Sequence, residues 1–185
     1  MSDVFQAWSN GRWISLDLNS NRYSMSTTSV ACPHESERLI KTKAKLRDCL
    51  SSPPAFLPPL HLVWHYARAA HAARTIRSQT IARQLEFLRA SLHGTAPVSV
   101  GVERIHYYAS VFQHLRNLRF RRPPCLEDSV AGYLFFYPYI ASLELLVGVK
   151  QPPFRAHAWL QSGDLILNDT KGAVDEYSVI LRFEK

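Results

Sequence analysis

Two β-strands and the turn between them are encoded by residues 155–169, RAHAWLQSGDLILND. A three-residue loop pairs Gln161 with Leu165 and closes the two strands into a hairpin. This register sets His157 directly opposite Asp169, so both side chains leave the same face with Cβ atoms ~5 Å apart. A four-residue loop would turn them to opposite faces, which makes the three-residue register a specific prediction.

A cysteine opens the helix predicted just upstream of this hairpin. Cys125 follows two prolines and starts an apolar segment, Cys125–Tyr137, that stops at Pro138. Its sulfur is expected near the unpaired N–H groups and the positive dipole end of the helix, which lower a thiol pKa and supply thiolate at neutral pH. Glu127 and Asp128 oppose this ionisation, because nearby carboxylates disfavour a second negative charge, and we expect them to point away. The alternative is a buried cysteine that packs as a small apolar side chain.

A thiol on a helix, an imidazole on a strand and a carboxylate on the next strand are the parts of a cysteine nucleophile site. We expect His157 to take the proton of the Cys125 thiol and later to deliver it to the leaving amine. Asp169 would hold the imidazole tautomer and stabilise the imidazolium. Trp159 shares the face of His157, where it either walls the site from water or packs in the core.

The same residue types can ligate zinc, but structural zinc sites use close pairs such as C-x2-C, which this chain lacks. His61 and His65 are four residues apart without the glutamate of an H-E-x-x-H motif, so we assign them to helix surface or core. We predict no metal and no cofactor for the chemistry of this chain. Cys32 and Cys49 are expected to be bystanders.

The rest of the chain predicts an α+β protein with a small N-terminal part. A proline-rich segment at 51–59 is the best linker, and the helical pattern after it is either one long helix or a pair. The predicted strands are 4–8, 13–18, 22–27, 143–150 and 178–183, and the predicted helices are 36–50, 60–93 and 102–118.

Composition limits the class of protein. The 185 residues, 46% of them apolar, suit one domain or one domain with a small appendage. A run of ~18 apolar residues and a signal-like N-terminus are both lacking, and three cysteines are too few for a disulfide scaffold, so we predict a cytoplasmic protein without a membrane partner. Residues 1–122 carry 17 basic and 7 acidic side chains, whereas residues 123–185 carry 5 and 8. The first part therefore favours an anionic partner, which could be nucleic acid, a membrane surface or an acidic polypeptide.

Three segments resemble the lasso-peptide B proteins, which are bacterial leader peptidases with a transglutaminase-like, papain-related core. They are C-L-E-D-S from Cys125, the run from Leu146 to Trp159 with its pattern G-V-x-x-x-P-F-x-A-H-A-W, and L-N-D ending at Asp169. The steps of 32 residues from Cys125 to His157 and of 12 residues to Asp169 are similar to those of that family. The resemblance implies that these three residues form the catalytic triad, and that the substrate is a ribosomally made precursor whose leader is removed.

The resemblance also implies how the chain is divided and which molecules it meets. A winged-helix-like recognition element of the PqqD type would span 1–57 and bind the leader, and the peptidase would span 58–185. An ATP-dependent, asparagine-synthetase-like partner would then close the macrolactam. An exposed edge strand accepts an extended peptide as an added strand, and here the candidate leader-binding residues are Tyr23, Met25, Arg38, Lys41 and Lys45.

Other functions stay open at the level of sequence. A transglutaminase-type amide or acyl transferase would keep the same three residues and let an amine, not water, resolve the acyl-enzyme. A winged-helix nucleic-acid-binding protein would account for the basic N-terminal part, but its first helix offers mainly lysines for unspecific phosphate contacts, and we predict no nucleic-acid partner. A scaffold protein without catalytic activity would require a different hairpin register, one that does not set His157 opposite Asp169.

Overall fold

The structure is a computed structural model that describes residues 4–26, 46–49, 57–92, 98 and 100–184. Within these ranges it contains helices packed on antiparallel sheets, as the sequence predicts. The helices are α1 (Leu60–Ile76), α2 (Ile81–Ser91), α3 (Val102–Asn117), α4 (Cys125–Phe136) and α5 (Lys171–Val174). The strands are β1 (Val4–Ser9), β2 (Arg12–Asp17), β3 (Arg22–Met25), β4 (Arg47–Asp48), β5 (Leu143–Lys150), β6 (Arg155–Ser162), β7 (Leu165–Ile166) and β8 (Ser178–Phe183).

The larger sheet carries the candidate site. Its strand order is β4-β7-β6-β5-β8, with β4 parallel to β7 and all other neighbours antiparallel. Alternate residues of β5 and β6 divide between two apolar clusters, because successive side chains of a strand point to opposite faces. Leu145 and Leu160 belong to the main core beside α4, whereas Leu146 and Trp159 belong to a smaller cluster. Strands β5 and β6 therefore pack against apolar side chains on both faces, and their sequences are nearly continuous runs of apolar residues.

Strands β1 to β3 form an antiparallel meander, as predicted. Asn10 and Gly11 make the first turn with φ of 44° and 83°, the pair of positive values that a tight hairpin turn requires. Ile14 and Leu16 are 0% exposed and lie in the same apolar cluster as the helices and the larger sheet. The meander thus shares its core with the remainder of the described chain, and the division at residue 57 stays a prediction.

Hydrogen bonds fasten the meander to the parts of the chain that surround it. Gln151, in the β5–β6 loop, donates from Nε2 to the carbonyl of Ser9 at 3.0 Å and accepts at its own carbonyl from Asn10. On the other side, the Asn21 side chain accepts the N–H of Ile81 at 2.7 Å, at the start of α2. The meander therefore bridges the β5–β6 loop and helix α2.

The predicted helix over 36–50 is wrong where the structure describes it. Arg47 and Asp48 form the short strand β4, which pairs with β7 through N–H bonds from Arg47 to the Asp164 carbonyl at 2.7 Å and from Cys49 to the Ile166 carbonyl at 2.9 Å. The spacing of the leucines is helical, but an unpaired edge of β7 is a competing partner that the spacing does not reveal. Residues 36–45 and 50 lie outside the described residues, so the winged-helix-like arrangement stays a prediction.

The predicted helices of the middle region are confirmed with small changes. The segment after residue 60 forms a pair of helices, and Thr80 caps the second one by accepting the N–H of Arg83 at 3.4 Å. Strand β7 is shorter than predicted and ends at Ile166. Among the helices of the described ranges, none is both long enough and apolar enough to cross a membrane.

Candidate active site

Cys125 is the first residue of α4, and its local sequence places it there. Pro124 takes φ −54° and ψ 149° at the N-cap position and offers no side chain to the helix end. The first N–H groups of α4 therefore have no side-chain cap, and the Leu126 N–H hydrogen bonds to the Cys125 sulfur. A second backbone donor, the N–H of Ala158 on β6, reaches the same sulfur.

His157 lies between the thiol and a carboxylate. Its Nε2 atom is 2.6 Å from Oδ2 of Asp169, and its ring also hydrogen bonds to Cys125. Because Asp169 occupies Nε2, Nδ1 is the ring nitrogen left to face the sulfur. The structure thus brings together the three residues that the sequence selects as Cys125, His157 and Asp169.

The hairpin register that the sequence predicts is wrong, although the predicted contact forms. The loop contains two residues, since Ser162 pairs with Leu165, and Gly163 adopts φ 59° in the turn. Continued without a break, this register would set Asp169 opposite Ala158, on the face away from His157. The ladder instead ends with the bond from the Leu167 N–H to the Leu160 carbonyl at 3.0 Å, and a bend over 167–169 turns Asp169 back to the imidazole.

Asn168 holds this bend in place. It is 3% exposed, and its side-chain oxygen accepts the Leu160 N–H at 2.8 Å. Its amide nitrogen donates to Asp128 Oδ2 at 3.3 Å and to the Ser129 hydroxyl at 3.1 Å. Every polar group of this side chain is therefore used on β6 or α4, and the next residue is Asp169.

Arg116, on α3, completes the support. Its Nη1 donates to Asp128 Oδ2 at 2.9 Å and to the backbone carbonyl of Asn168 at 2.7 Å, and its Nη2 donates to Oε1 of Gln113. One guanidinium thus connects α3, the first turn of α4 and the bend that carries Asp169. We call Arg116, Asp128 and Asn168 the supporting triangle.

The two carboxylates beside Cys125 are neutralised by arginines. Glu127 is buried and lies 3.0 Å from Arg119 and 3.7 Å from Arg77. Asp128 pairs with Arg116 in the supporting triangle, although it also lines the cleft at Cys125. Ion pairing therefore limits the opposition to thiolate formation that the sequence led us to expect from these residues.

The charges of the site favour a thiolate and an imidazolium. Burial opposes ionisation of the Cys125 thiol, but the hydrogen bonds from His157 and from two backbone N–H groups outweigh it and lower the pKa. The hydrogen bond to Asp169, and next the one to Cys125, raise the pKa of His157 to about 9. The pKa of Asp169 is lowered, because its hydrogen bonds to His157 and to the Thr170 N–H outweigh its burial. Both shifts act in the direction of an ion pair between the sulfur and the imidazole.

The site opens onto a cleft of about 380 Å³. Its polar walls come from α3, α4 and the bend, and the catalytic candidates lie together on its lining. The residues that line it are Gln113, Arg116, Arg122, Pro123, Cys125, Asp128, His157, Ala158, Asn168, Asp169 and Thr170.

Aromatic rings hold the imidazole from the other side. The Trp159 ring is stacked toward that of His157 with centroids 6.2 Å apart, and the Tyr177 ring lies at 5.3 Å. Trp159 is 2% exposed, so it is a core residue that also backs the imidazole. Gly148, opposite His157 on β5, makes this possible because a Cβ there would lie 2.8 Å from both Trp159 and Tyr177.

The leader-binding candidates are only partly described. The Tyr23 ring contacts that of Phe154 at 5.1 Å, and burial together with the nearby Cys125 charge raises the pKa of Tyr23. Tyr23 therefore lies near enough to Cys125 for the charge of the sulfur to act on it. Met25 is 46% exposed at the end of β3, and Arg38, Lys41 and Lys45 lie outside the described residues.

The histidine pair on α1 is explained without a ligand. His61 is exposed, whereas His65 is half-buried with Nε2 3.1 Å from the Phe135 carbonyl, and burial lowers its pKa. In the part of the chain that the structure describes, no group of three or more metal-ligating side chains is close enough to hold an ion.

Sequence reasoning missed Arg116, Asn168, Gly148 and Gln113. The signals for them are weak, because an arginine and a glutamine three residues apart are ordinary on a helix face. Asn168 precedes Asp169 directly, and a polar residue after an apolar strand is a hint that the strand bends there. Gly148 lies in the G-V pattern before His157, where a glycine inside a strand marks a close approach.

Comparison with known protein families gives one match. The sequence model described as the transglutaminase-like superfamily matches residues 63–182, well over half of the chain. No curated protein and no solved structure matches the chain. The matched range contains Cys125, His157 and Asp169 and leaves out the meander.

Proposed function

The chain belongs to the transglutaminase-like superfamily, and on that premise we propose that it is a cysteine peptidase that removes the leader from a lasso-peptide precursor. In this proposal Cys125 is the nucleophile, His157 the acid and base, and Asp169 the residue that orients the imidazole. The observation that carries the chemistry is the 2.6 Å contact between His157 and Asp169, with the ring also bonded to a thiol of lowered pKa.

The first half of the proposed reaction forms an acyl-enzyme. The Cys125 thiolate attacks the carbonyl carbon of the scissile amide, a C–S bond forms, and the π electron pair of the carbonyl moves to oxygen. When the oxyanion collapses, the C–N bond breaks and His157 gives its proton to the departing nitrogen. A thioester on Cys125 and a free amine result.

The second half restores the enzyme. Neutral His157 takes a proton from water as the water oxygen attacks the thioester carbon. The C–S bond then breaks, the leader leaves as a carboxylic acid, and the sulfur leaves as thiolate beside the imidazolium. Asp169 remains ionised throughout and stabilises the imidazolium.

Two observations, one from sequence and one from structure, support a leader-bearing peptide as the substrate. The motifs around Cys125, His157 and Asp169 resemble those of the lasso-peptide B proteins. Tyr23 lies on β3, an edge strand within the described meander, and also lies near Cys125. A peptide added to this edge would therefore run close to the nucleophile. The amine that cleavage frees would pass to an ATP-dependent, asparagine-synthetase-like partner.

The second candidate is an amide or acyl transferase of transglutaminase type. The superfamily match favours it equally, because the acyl-enzyme is common to both and only the second nucleophile differs. Water gives a free carboxylate, whereas an amine gives a new amide.

The test uses the purified protein and the precursor encoded nearest its gene, in water enriched in ¹⁸O, with and without the neighbouring synthetase. We expect cleavage at one junction, one ¹⁸O atom in the new carboxyl group by mass spectrometry, and no cleavage by Cys125→Ala. A product that gains an amine and no ¹⁸O would favour the transferase. Cleavage that survives Cys125→Ala would overturn the proposed function.

A further inference from the structure

Arg122 brings an unpaired positive charge to the catalytic cleft. It is exposed, lies three residues before Cys125 and lines the same cleft as that sulfur. Its guanidinium makes no hydrogen bond and no ion pair with any residue that the structure describes. A guanidinium carries five N–H donors in a planar fork that fits the two oxygens of a carboxylate. Arg122 therefore presents free donors to a molecule that enters the cleft.

The carboxylates that line the same cleft are already paired with other cations. Asp128 accepts from Arg116 at 2.9 Å, and Asp169 lies 2.6 Å from the imidazole of His157. In the described part of the chain, neither carboxylate lies within ion-pair distance of Arg122. A group that complements the charge of Arg122 must therefore come from outside the described site.

The loop between α3 and α4 holds Arg122 at a restricted distance from the nucleophile. Pro123 and Pro124 follow it, and each proline ring fixes its own φ and restricts the residue before it to extended conformations. Earlier in the loop, Arg119 donates from Nη2 to buried Glu127 at 3.0 Å, in the first turn of α4. Three extended residues span about 11 Å at most, and an extended peptide advances by the same length per residue. The donors of Arg122 are therefore placed for a side chain within about three residues of the scissile bond.

We propose that Arg122 is a specificity-determining residue that binds a carboxylate side chain of the substrate, an Asp or Glu within about three residues of the scissile bond. The carboxylate accepts two N–H bonds from the guanidinium and thereby holds the scissile carbonyl at Cys125. The neutral amide of Asn or Gln has one oxygen and no charge, so it binds more weakly in the same place. This inference rests on the peptidase function proposed above and adds one chemical requirement for its substrate.

The first test compares two small reagents at the same sulfur and needs no peptide. Iodoacetate and iodoacetamide both alkylate a thiolate by displacement of iodide, but iodoacetate carries a carboxylate where iodoacetamide carries an amide. Both rates depend equally on the amount of thiolate, so their ratio measures how strongly the cleft attracts a carboxylate. The imidazolium attracts iodoacetate in every variant alike. We expect Arg122→Gln to lower the ratio of iodoacetate to iodoacetamide rates at Cys125 about threefold, measured by peptide mass spectrometry.

Arg121→Gln is the matched control for this measurement. Arg121 is an exposed arginine of the same loop, but it lies outside the lining of the cleft. The two variants lose the same charge at neighbouring positions, so a general effect of net charge would change both ratios equally. We expect Arg121→Gln to leave the ratio at the wild-type value.

The second test uses the precursor encoded nearest the gene. Each Asp or Glu within three residues of the cleaved junction is replaced by Asn or Gln, and kcat/KM for cleavage is measured by mass spectrometry. With the wild-type enzyme, we expect one such replacement to lower kcat/KM about tenfold, the lower end for a hydrogen bond to a charged group. Arg122→Gln should show no further loss with that precursor, because its partner is already removed, whereas Arg121→Gln should show the full loss.

The results that would overturn the inference are specific to Arg122. They are an alkylation ratio in Arg122→Gln equal to that in Arg121→Gln, and equal cleavage of the acidic and the amide precursors by the wild-type enzyme. A cleaved junction with no acidic side chain within three residues would overturn it as well. Cleavage that survives Cys125→Ala would instead overturn the proposed function, and this inference with it.

Discussion

The described residues include two cysteine–histidine contacts, and only one of these two has the surroundings of a nucleophile. In the first, Cys125 meets His157 at the start of a helix, and His157 is held by Asp169. In the second, the Cys49 sulfur lies 3.4 Å from Nδ1 of His106. Cys49 is 0% exposed, and its burial raises the pKa of the thiol to about 11.

The difference lies in the groups around each pair. Burial opposes ionisation at both sulfurs, but at Cys125 two backbone N–H groups and a carboxylate-held imidazole outweigh it. Within the described residues, no carboxylate bonds the ring of His106, and the cause of the shifted Cys49 pKa is burial. An imidazole within reach of a thiol is therefore not sufficient, and the donors and the third residue decide the reactivity.

The largest expected effect separates the two cysteines directly. Cys125→Ala should lower the acetylation burst with p-nitrophenyl acetate to background, because it removes the nucleophile. Cys49→Ala should keep the burst within about twofold, since a thiol of raised pKa is not ionised at neutral pH. Stopped-flow absorbance of p-nitrophenolate measures both, and a lost burst in Cys49→Ala with intact circular dichroism would contradict the comparison.

The supporting triangle lies beside the Cys125–His157 pair and not beside the Cys49–His106 pair. The next test therefore removes one of its members, Arg116. Arg116→Met leaves Asp128, 6% exposed, without its cation, and we expect the free energy of unfolding in urea to fall by about 3 kcal/mol. The acetylation rate should fall as well, because the bend that carries Asp169 loses the bond to the Asn168 carbonyl.

The double variant Arg116→Met/Asp128→Asn serves as the control, because it removes both charges together. We expect it to recover a large part of the lost stability. Wild-type stability in the single variant Arg116→Met would show that this ion pair does not hold the bend.

The Trp159 and Tyr177 rings pack against His157, and no aromatic ring is described against His106. Gly148 leaves the space that these two rings occupy. Gly148→Ala sets a Cβ 2.8 Å from Trp159 and Tyr177, and we expect a loss of about 1–3 kcal/mol in the free energy of unfolding, with slower acetylation. Gly172→Ala in α5 is the matched control, since a Cβ there meets nothing within 4 Å. Equal stability of the two variants would mean that the rings move aside without cost.

The sequence predicts the three catalytic candidates but not the supporting triangle that holds them in place. The Cys125 helix start, strand β6 and the meander follow from prolines, alternation and turn residues, which are local signals. The hairpin register was wrong by one residue, and the contact between His157 and Asp169 forms only because Asn168 bends the chain. That bend depends on Arg116 and Asp128 from two other helices, and such long-range partners leave no periodic trace in the sequence. The pairing with β7 that makes Arg47–Asp48 a strand could not be predicted for the same reason.

The smallest expected effect is a shift of a titration, and it tests the cause of the difference most directly. Iodoacetamide alkylation, followed by peptide mass spectrometry, gives the pH midpoint of each thiol. The Cys125 midpoint should lie below that of an ordinary thiol, and His157→Ala should raise it, because burial remains while the hydrogen bond that lowers the pKa is lost. His106→Ala should leave Cys49 as unreactive as before, since burial alone raises its pKa to about 11. If His157→Ala left the Cys125 midpoint unchanged, the helix end and the Ala158 N–H would be sufficient to hold the thiolate, and His157 would matter for proton transfer only.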